Sequence, residues 1–140
     1  MVVEDNDFNL LTINTILINK FGIRPDEATN GQIAVEKFKA ALDKKCRCKN
    51  RAYKLIFMDI QMPIMDGFDA TDHILSECNK AYKKIVNLSK TVQERDMSSF
   101  CNIIALTAYT SKDIEERCYH LGMKQVIPKP IDFKQMKEII

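Results

Sequence analysis

Short apolar runs along this chain alternate with stretches whose apolar positions recur every three or four residues. Met1-Val2-Val3 leads straight into acidic residues. Leu10, Ile13, Leu17 and Phe21 then keep helical spacing, and Gly22 follows as a natural helix stop. Ile23 to Ala28 reads as a weak second strand, weakened by Pro25, whose missing N–H cannot join a ladder. Asn30 is placed to cap a helix carrying Val35, Phe38 and Leu42 on one face. Leu55-Ile56-Phe57-Met58 is the most apolar strand and ends on Asp59. A turn containing Pro63 and Gly67 leads into a helix through Ile74 and Cys78. Ile103-Ile104-Ala105-Leu106 forms a fourth strand ending at Thr107. Thr110 and Asp113 have the spacing of a capping box ahead of a helix that stops at Gly122. Val126-Ile127 gives a short fifth strand just before Lys129, and Asp132 is placed to cap a last helix. Five strands alternating with five helices predict an α/β domain with a parallel sheet covered on both faces.

Two stretches are longer than such links need. One runs over about 43–53 and the other over about 78–102. Tyr82, Ile85 and Val86 keep a partial helical rhythm, so part of the second stretch prolongs the third helix, while Lys90 to Ser99 reads as a surface loop. With those connections, 140 residues suit a single domain. Its composition, 46% hydrophobic and 29% charged, supports a core without staples. A net charge of +2 offers no footprint for nucleic acid or a membrane surface. The one basic run, Lys44 to Arg51, is either a solvated loop or a docking surface. The 5 cysteines are an odd, scattered set without zinc spacing, and His73 and His120 sit alone at surface or boundary positions. Reduced thiols, no leader-like start and no apolar run of about 18 residues point to an intracellular, cytoplasmic setting.

The chemistry lies at the ends of the strands, because parallel sheets bind ligands outside their carboxyl edge at the switch in strand order. There the first strand ends in Glu4-Asp5, the third in Asp59, the fourth in Thr107 and the fifth in Lys129. Three carboxylates, a hydroxyl and an ammonium would converge on one rim. Carboxylate oxygens suit magnesium, which often joins one or two of them to a phosphate. The lysine adds a compact positive charge for phosphate oxygens.

At this point the chain resembles a known family, the receiver domains of two-component response regulators and hybrid histidine kinases. The resemblance is carried by VVEDNDFN (2–9), LIFMDIQMPIMDGFDAT (55–71), IIALTAY (103–109) and GMKQVIPKPI (122–131). It implies a flavodoxin-like, doubly wound five-stranded sheet of order 2-1-3-4-5 with five helices. Asp59 would be the phosphorylated aspartate. Glu4, Asp5, Asp59 and the backbone carbonyl of Gln61 would hold Mg2+. Thr107 would turn its hydroxyl toward the phosphoryl group and Lys129 would pair with it. The partner implied is a histidine kinase or histidine phosphotransfer domain, with no nucleic acid and no membrane contact by this domain. The Asp5-Asn6-x-x-Asn9 opening and the I-x-A-L-T-A strand look most like receivers fused to hybrid histidine kinases. The family's lysine-proline position implies a cis bond at Lys129–Pro130. One departure stands out: where the family usually has an aromatic or histidine that swings inward on activation, this chain has Val126.

The same residues bear on the rivals. An aspartate-nucleophile phosphatase of the haloacid dehalogenase type needs a second acid two residues after the nucleophile, and here that position is Gln61. A pseudo-receiver or flavin-type binding module would not need the full set of Glu4, Asp5, Asp59, Thr107 and Lys129. A P-loop hydrolase lacks its G-x-x-x-x-G-K-[ST] signature here. The expected role is therefore a phosphoacceptor signalling domain rather than an enzyme. The few residues before Glu4 and the short last helix are consistent with an excerpt of a larger protein.

Overall fold

A computed structural model describes residues 1–43, 53–88 and 101–140. The elements alternate as β1 (Val2–Val3), α1 (Asp7–Phe21), β2 (Glu27–Ala28), α2 (Gly31–Asp43), β3 (Leu55–Asp59), α3 (Gly67–Leu88), β4 (Asn102–Thr107), α4 (Lys112–Leu121), β5 (Gln125–Pro128) and α5 (Phe133–Ile139). The five strands form one parallel sheet in the order β2-β1-β3-β4-β5. This is the flavodoxin-like arrangement that the resemblance implied.

Strand periodicity divides the core in two. Ile56, Met58, Ile103 and Ala105 face one layer, where Val35 and Phe38 of α2, Ile74 and Cys78 of α3 and Cys118 of α4 close over them. Val2, Phe57, Ile104, Leu106 and Ile127 face the other, under Leu10, Ile13 and Leu17 of α1 and Met136 of α5. The central strands are apolar on both faces because both faces are covered.

Most of the helix ends follow the local chemistry of the sequence. Gly22 and Gly122 take left-handed φ values of 67° and 96°, which a side chain would strain. Asn30 accepts from the Ile33 amide at 2.9 Å, and Asp132 forms a full capping box with Gln135. Two expectations change. The cap of α4 is Ser111, whose Oγ accepts from the Ile114 amide at 3.3 Å, and not Thr110. One residue decides this, because only the hydroxyl directly preceding the helix can reach the third amide beyond it. The second strand is only Glu27–Ala28, since Pro25 lies outside the ladder. As the rhythm of Tyr82, Ile85 and Val86 predicts, α3 continues through part of the 78–102 stretch to Leu88, and Cys78 and Cys101 near the two ends of that stretch are buried in the core. The basic run Lys44–Arg51 and the Lys90–Ser99 segment fall outside the described residues.

Candidate functional site

The strand register delivers the site. Val3 pairs with Met58, Asp59 with Leu106, and Thr107 with Pro128, so Glu4, Asp59, Thr107 and Lys129 leave the sheet along one edge. The Lys129 amide donates to the Thr107 carbonyl at 2.8 Å, locking the ends of β4 and β5 together. The Lys129–Pro130 peptide bond is cis.

Glu4, Asp5 and Asp59 each bring a carboxylate oxygen within 4.8 Å of the others. Glu4 and Asp59 are buried and Asp5 is exposed. Such a group repels itself unless a cation intervenes, and here Lys129 does. Its Nζ lies 2.7 Å from Glu4 Oε2 and 2.6 Å from Asp59 Oδ2, with only 14% of the lysine side chain exposed. Burial pushes the Asp59 carboxyl above its ordinary range, and the neighbouring Glu4 charge adds to this. The Lys129 ammonium and the Gln61 amide, which donates to Asp59 Oδ1 at 3.0 Å, pull the other way without cancelling it.

The loop after Asp59 is set by close approach. A Cβ on Gly67 would run into the Asp59 carbonyl oxygen and lie 2.7 Å from Ile60 Cα, so only glycine fits. Gly31 at the start of α2 has the same constraint: its amide donates to Met65 O at 3.0 Å, and an added Cβ would sit 2.6 Å from that oxygen. The Met65 amide donates to Pro63 O across Ile64, whose φ is 72° and whose side chain is 84% exposed. A β-branched residue in that conformation is strained, so the surrounding bonds must hold the turn.

Thr107 is fully buried, but its hydroxyl does not point to Asp59. It donates to Tyr109 O at 2.8 Å and accepts from the Tyr109 amide at 3.0 Å. Sequence reasoning also passed over the work of the two asparagines in the Asp5-Asn6-x-x-Asn9 motif. Asn6 Oδ1 caps α1 by accepting from the Phe8 and Asn9 amides, both at 3.1 Å. Asn9 Nδ2 donates to Glu4 Oε1 at 3.0 Å, fixing the buried acid's orientation. The motif's spacing was the available signal, since a cap and a residue three positions on face the same end of the helix. Val126 is half-buried against the α2/α3/α4 layer.

The donor set fits a hard divalent cation. Three carboxylates converge, and buried Glu4 Oε2 accepts no hydrogen bond, having only the Lys129 charge beside it. Among the described residues no helix is long and apolar enough to cross a membrane.

Comparison with known proteins agrees with this geometry. Over its whole length the chain is 30% identical to Histidine kinase 5 of Arabidopsis thaliana and 33% identical to the osmosensing histidine protein kinase SLN1 of Saccharomyces cerevisiae. It spans only 15% and 10% of the length of those two relatives. Among solved structures, it matches the receiver domain of Ssk1, crystallised with the yeast histidine phosphotransfer protein Ypd1. That match has a TM-score of 0.72 and 27% identity, covering 99% of this chain and 83% of that one. It also matches the receiver domain of sensor histidine kinase PA1611 from Pseudomonas aeruginosa, solved with magnesium in its active site cleft. There the TM-score is 0.66 and the identity 26%, covering 99% of this chain and 89% of that one. The model of the response regulator receiver domain matches residues 1–99, from the acid pair through the Asp59 loop and α3. With relatives that align across the remaining strands as well, the chain belongs to the response regulator receiver domain family.

Proposed function

We propose that this domain accepts a phosphoryl group from a phosphohistidine onto Asp59 and carries it as a signal in a phosphorelay. The observation that carries the reading is the Lys129 ammonium held between buried Glu4 and Asp59, beside exposed Asp5, at the carboxyl edge of the sheet. A structural ion pair would not need a third acid or a strained loop next to it.

In the reaction an Asp59 carboxylate oxygen forms a bond to phosphorus as the phosphorus–nitrogen bond of the donor breaks, and the imidazole nitrogen keeps the electron pair. Both reactants are anionic, so charge neutralisation and alignment dominate the barrier. Magnesium held by Glu4, Asp5, Asp59 and the Gln61 carbonyl would supply the neutralising charge when bound. The Gln61 amide fixes Asp59 Oδ1, so the carboxylate cannot swing freely. Lys129, already beside Asp59 Oδ2, meets the phosphoryl oxygens as they arrive. Thr107, whose carbonyl anchors the Lys129 amide at 2.8 Å, would turn its hydroxyl from Tyr109 to the same oxygens. Gln61 stands where a phosphatase of the dehalogenase type needs its general acid, which argues against that class, and the domain is a signalling acceptor whose phosphorylation and dephosphorylation are self-catalysed.

The donor is a histidine phosphotransfer or histidine kinase domain, as the pairing of Ssk1 with Ypd1 suggests by likeness. The similarity to hybrid kinases supports a place within such a protein, with residues 1–140 forming one receiver domain. Incubation with acetyl phosphate and magnesium is expected to add one phosphoryl group by intact mass, and Asp59→Asn to add none. Equal labelling of Asp59→Asn would remove Asp59 from the role.

A further inference from the structure

The side chain of Glu4 is fully buried, and its two oxygens meet different surroundings. Oε1 faces the first turn of α1, where it accepts from Asn9 Nδ2 at 3.0 Å and from the Asn6 amide at 3.4 Å. Oε2 accepts no hydrogen bond and lies 2.7 Å from Lys129 Nζ, the same ammonium that meets Asp59. Asn9 is held where it can keep this grip. It is half-buried, and its own amide donates to Asn6 Oδ1 at 3.1 Å, so the cap of α1 fixes its backbone. Its carboxamide is neutral, so it directs the acid without changing the charge of the rim.

A carboxylate with one oxygen committed in this way meets a cation through the other oxygen alone. That difference separates two hard cations. Magnesium takes about six oxygens in near-octahedral order at about 2.0–2.1 Å and keeps several of them as water. Calcium takes about 6–8 oxygens at about 2.3–2.6 Å and readily claims both oxygens of one carboxylate. Asp59 is constrained like Glu4, since its Oδ1 accepts from the Gln61 amide at 3.0 Å. Both buried acids of the rim therefore have one oxygen tied to an N–H donor. The donor at Gln61 belongs to the backbone, whereas the donor at Asn9 is a side chain, so the residue at position 9 grants or withholds it.

We propose that Asn9 is a positioning residue that sets the cation preference of the rim. By holding Glu4 Oε1 it limits Glu4 to one oxygen, which biases the three acids toward magnesium and against calcium. The inference rests on the reading of Glu4, Asp5 and Asp59 as metal ligands, and it deepens that reading by naming what selects the ion.

Titration of the 140-residue chain with magnesium chloride and, separately, with calcium chloride tests it. Amide shifts at the three acids, followed by NMR, give the two dissociation constants and their ratio. Asn9→Ala and Asn9→Leu are each expected to raise the affinity for calcium relative to magnesium at least about tenfold, the scale of one hydrogen bond to a charged group. Leucine is close to asparagine in shape, so the pair separates loss of the donor from loss of volume. Thr12→Ala is the control. Thr12 borders the same small cavity beside Glu4, but its hydroxyl donates to the Phe8 carbonyl at 2.8 Å, and this variant is expected to keep the wild-type ratio. An unchanged ratio in either Asn9 variant would overturn the proposal and leave the metal site in place. An equal shift in Thr12→Ala would overturn it too, because the effect would then belong to α1 as a whole. If neither cation binds the wild type, the metal reading of the rim fails and the preference fails with it.

Discussion

Replacing Lys129 by methionine removes the cation that holds Glu4 and Asp59 together while keeping much of the side chain's volume. The lysine stands 2.7 Å and 2.6 Å from two carboxylates that are 0% and 4% exposed. Deleting one member of a buried ionic group leaves the rest uncompensated, at a cost of about 3–5 kcal/mol. For 140 residues the unfolding entropy near the midpoint is about 0.3 kcal/mol/K, so the melting temperature falls by roughly 10–17 °C. The loss depends on pH in a defined direction. Asp59 already has its folded pKa raised by burial, and losing Lys129 raises it further. A carboxyl that binds its proton more tightly in the folded state than in the unfolded one favours folding at low pH. Lys129→Met therefore regains stability as pH falls through the raised Asp59 pKa and loses it as pH rises through it. Magnesium acts in the same direction as acid, since a divalent cation among the acids replaces the missing charge and stabilises the state that binds it. Thermal and urea unfolding of both proteins at pH 5 and pH 8, with and without millimolar magnesium, measures all three effects. A variant within about 3 °C of the wild type at pH 8 without metal would refute the argument. A deficit that ignored both pH and magnesium would do so too, because it would mark a packing defect.

Gly67→Ala should cost about 1–3 kcal/mol in urea unfolding and depress phosphoryl uptake, because its Cβ meets the backbone of Asp59 and Ile60; an unchanged midpoint would mean that the loop yields freely. Burial pushes the thiols of Cys78 and Cys101 up to about 11 and about 12, and that of Cys118 upward as well, so iodoacetamide at pH 8 should leave all three unmodified in the native chain and label them in urea. Peptide mapping reads this directly, and rapid native labelling of any of the three would contradict its burial. Exchanging residues 89–100 for a glycine-serine linker of equal length, with Cys78 and Cys101 kept, should leave acetyl phosphate labelling intact; loss of labelling in a folded variant would bring that segment into the site.

The alternation of strands and helices was legible in the sequence because burial on both faces leaves continuous apolar runs such as Leu55–Met58, while one-sided helices leave a periodic stripe. The candidate site was legible for a related reason. A parallel sheet sends every strand end to one edge, so Glu4, Asp5, Asp59, Thr107 and Lys129 converge once the strands are found. Local caps could be read where one residue decides them, as at Asn30 and Asp132, and missed where neighbours compete, as at Thr110 and Ser111. Tertiary structure alone decided what the side chains do with one another. That Lys129 spans two acids, that Asn9 steers Glu4, and that Thr107 faces Tyr109 rather than Asp59 all depend on distances between different elements and on single torsions. Residue type and spacing along a chain carry little information about either. The prolongation of α3 was announced in part by Tyr82, Ile85 and Val86, whereas its packing against α2 belonged to the tertiary structure.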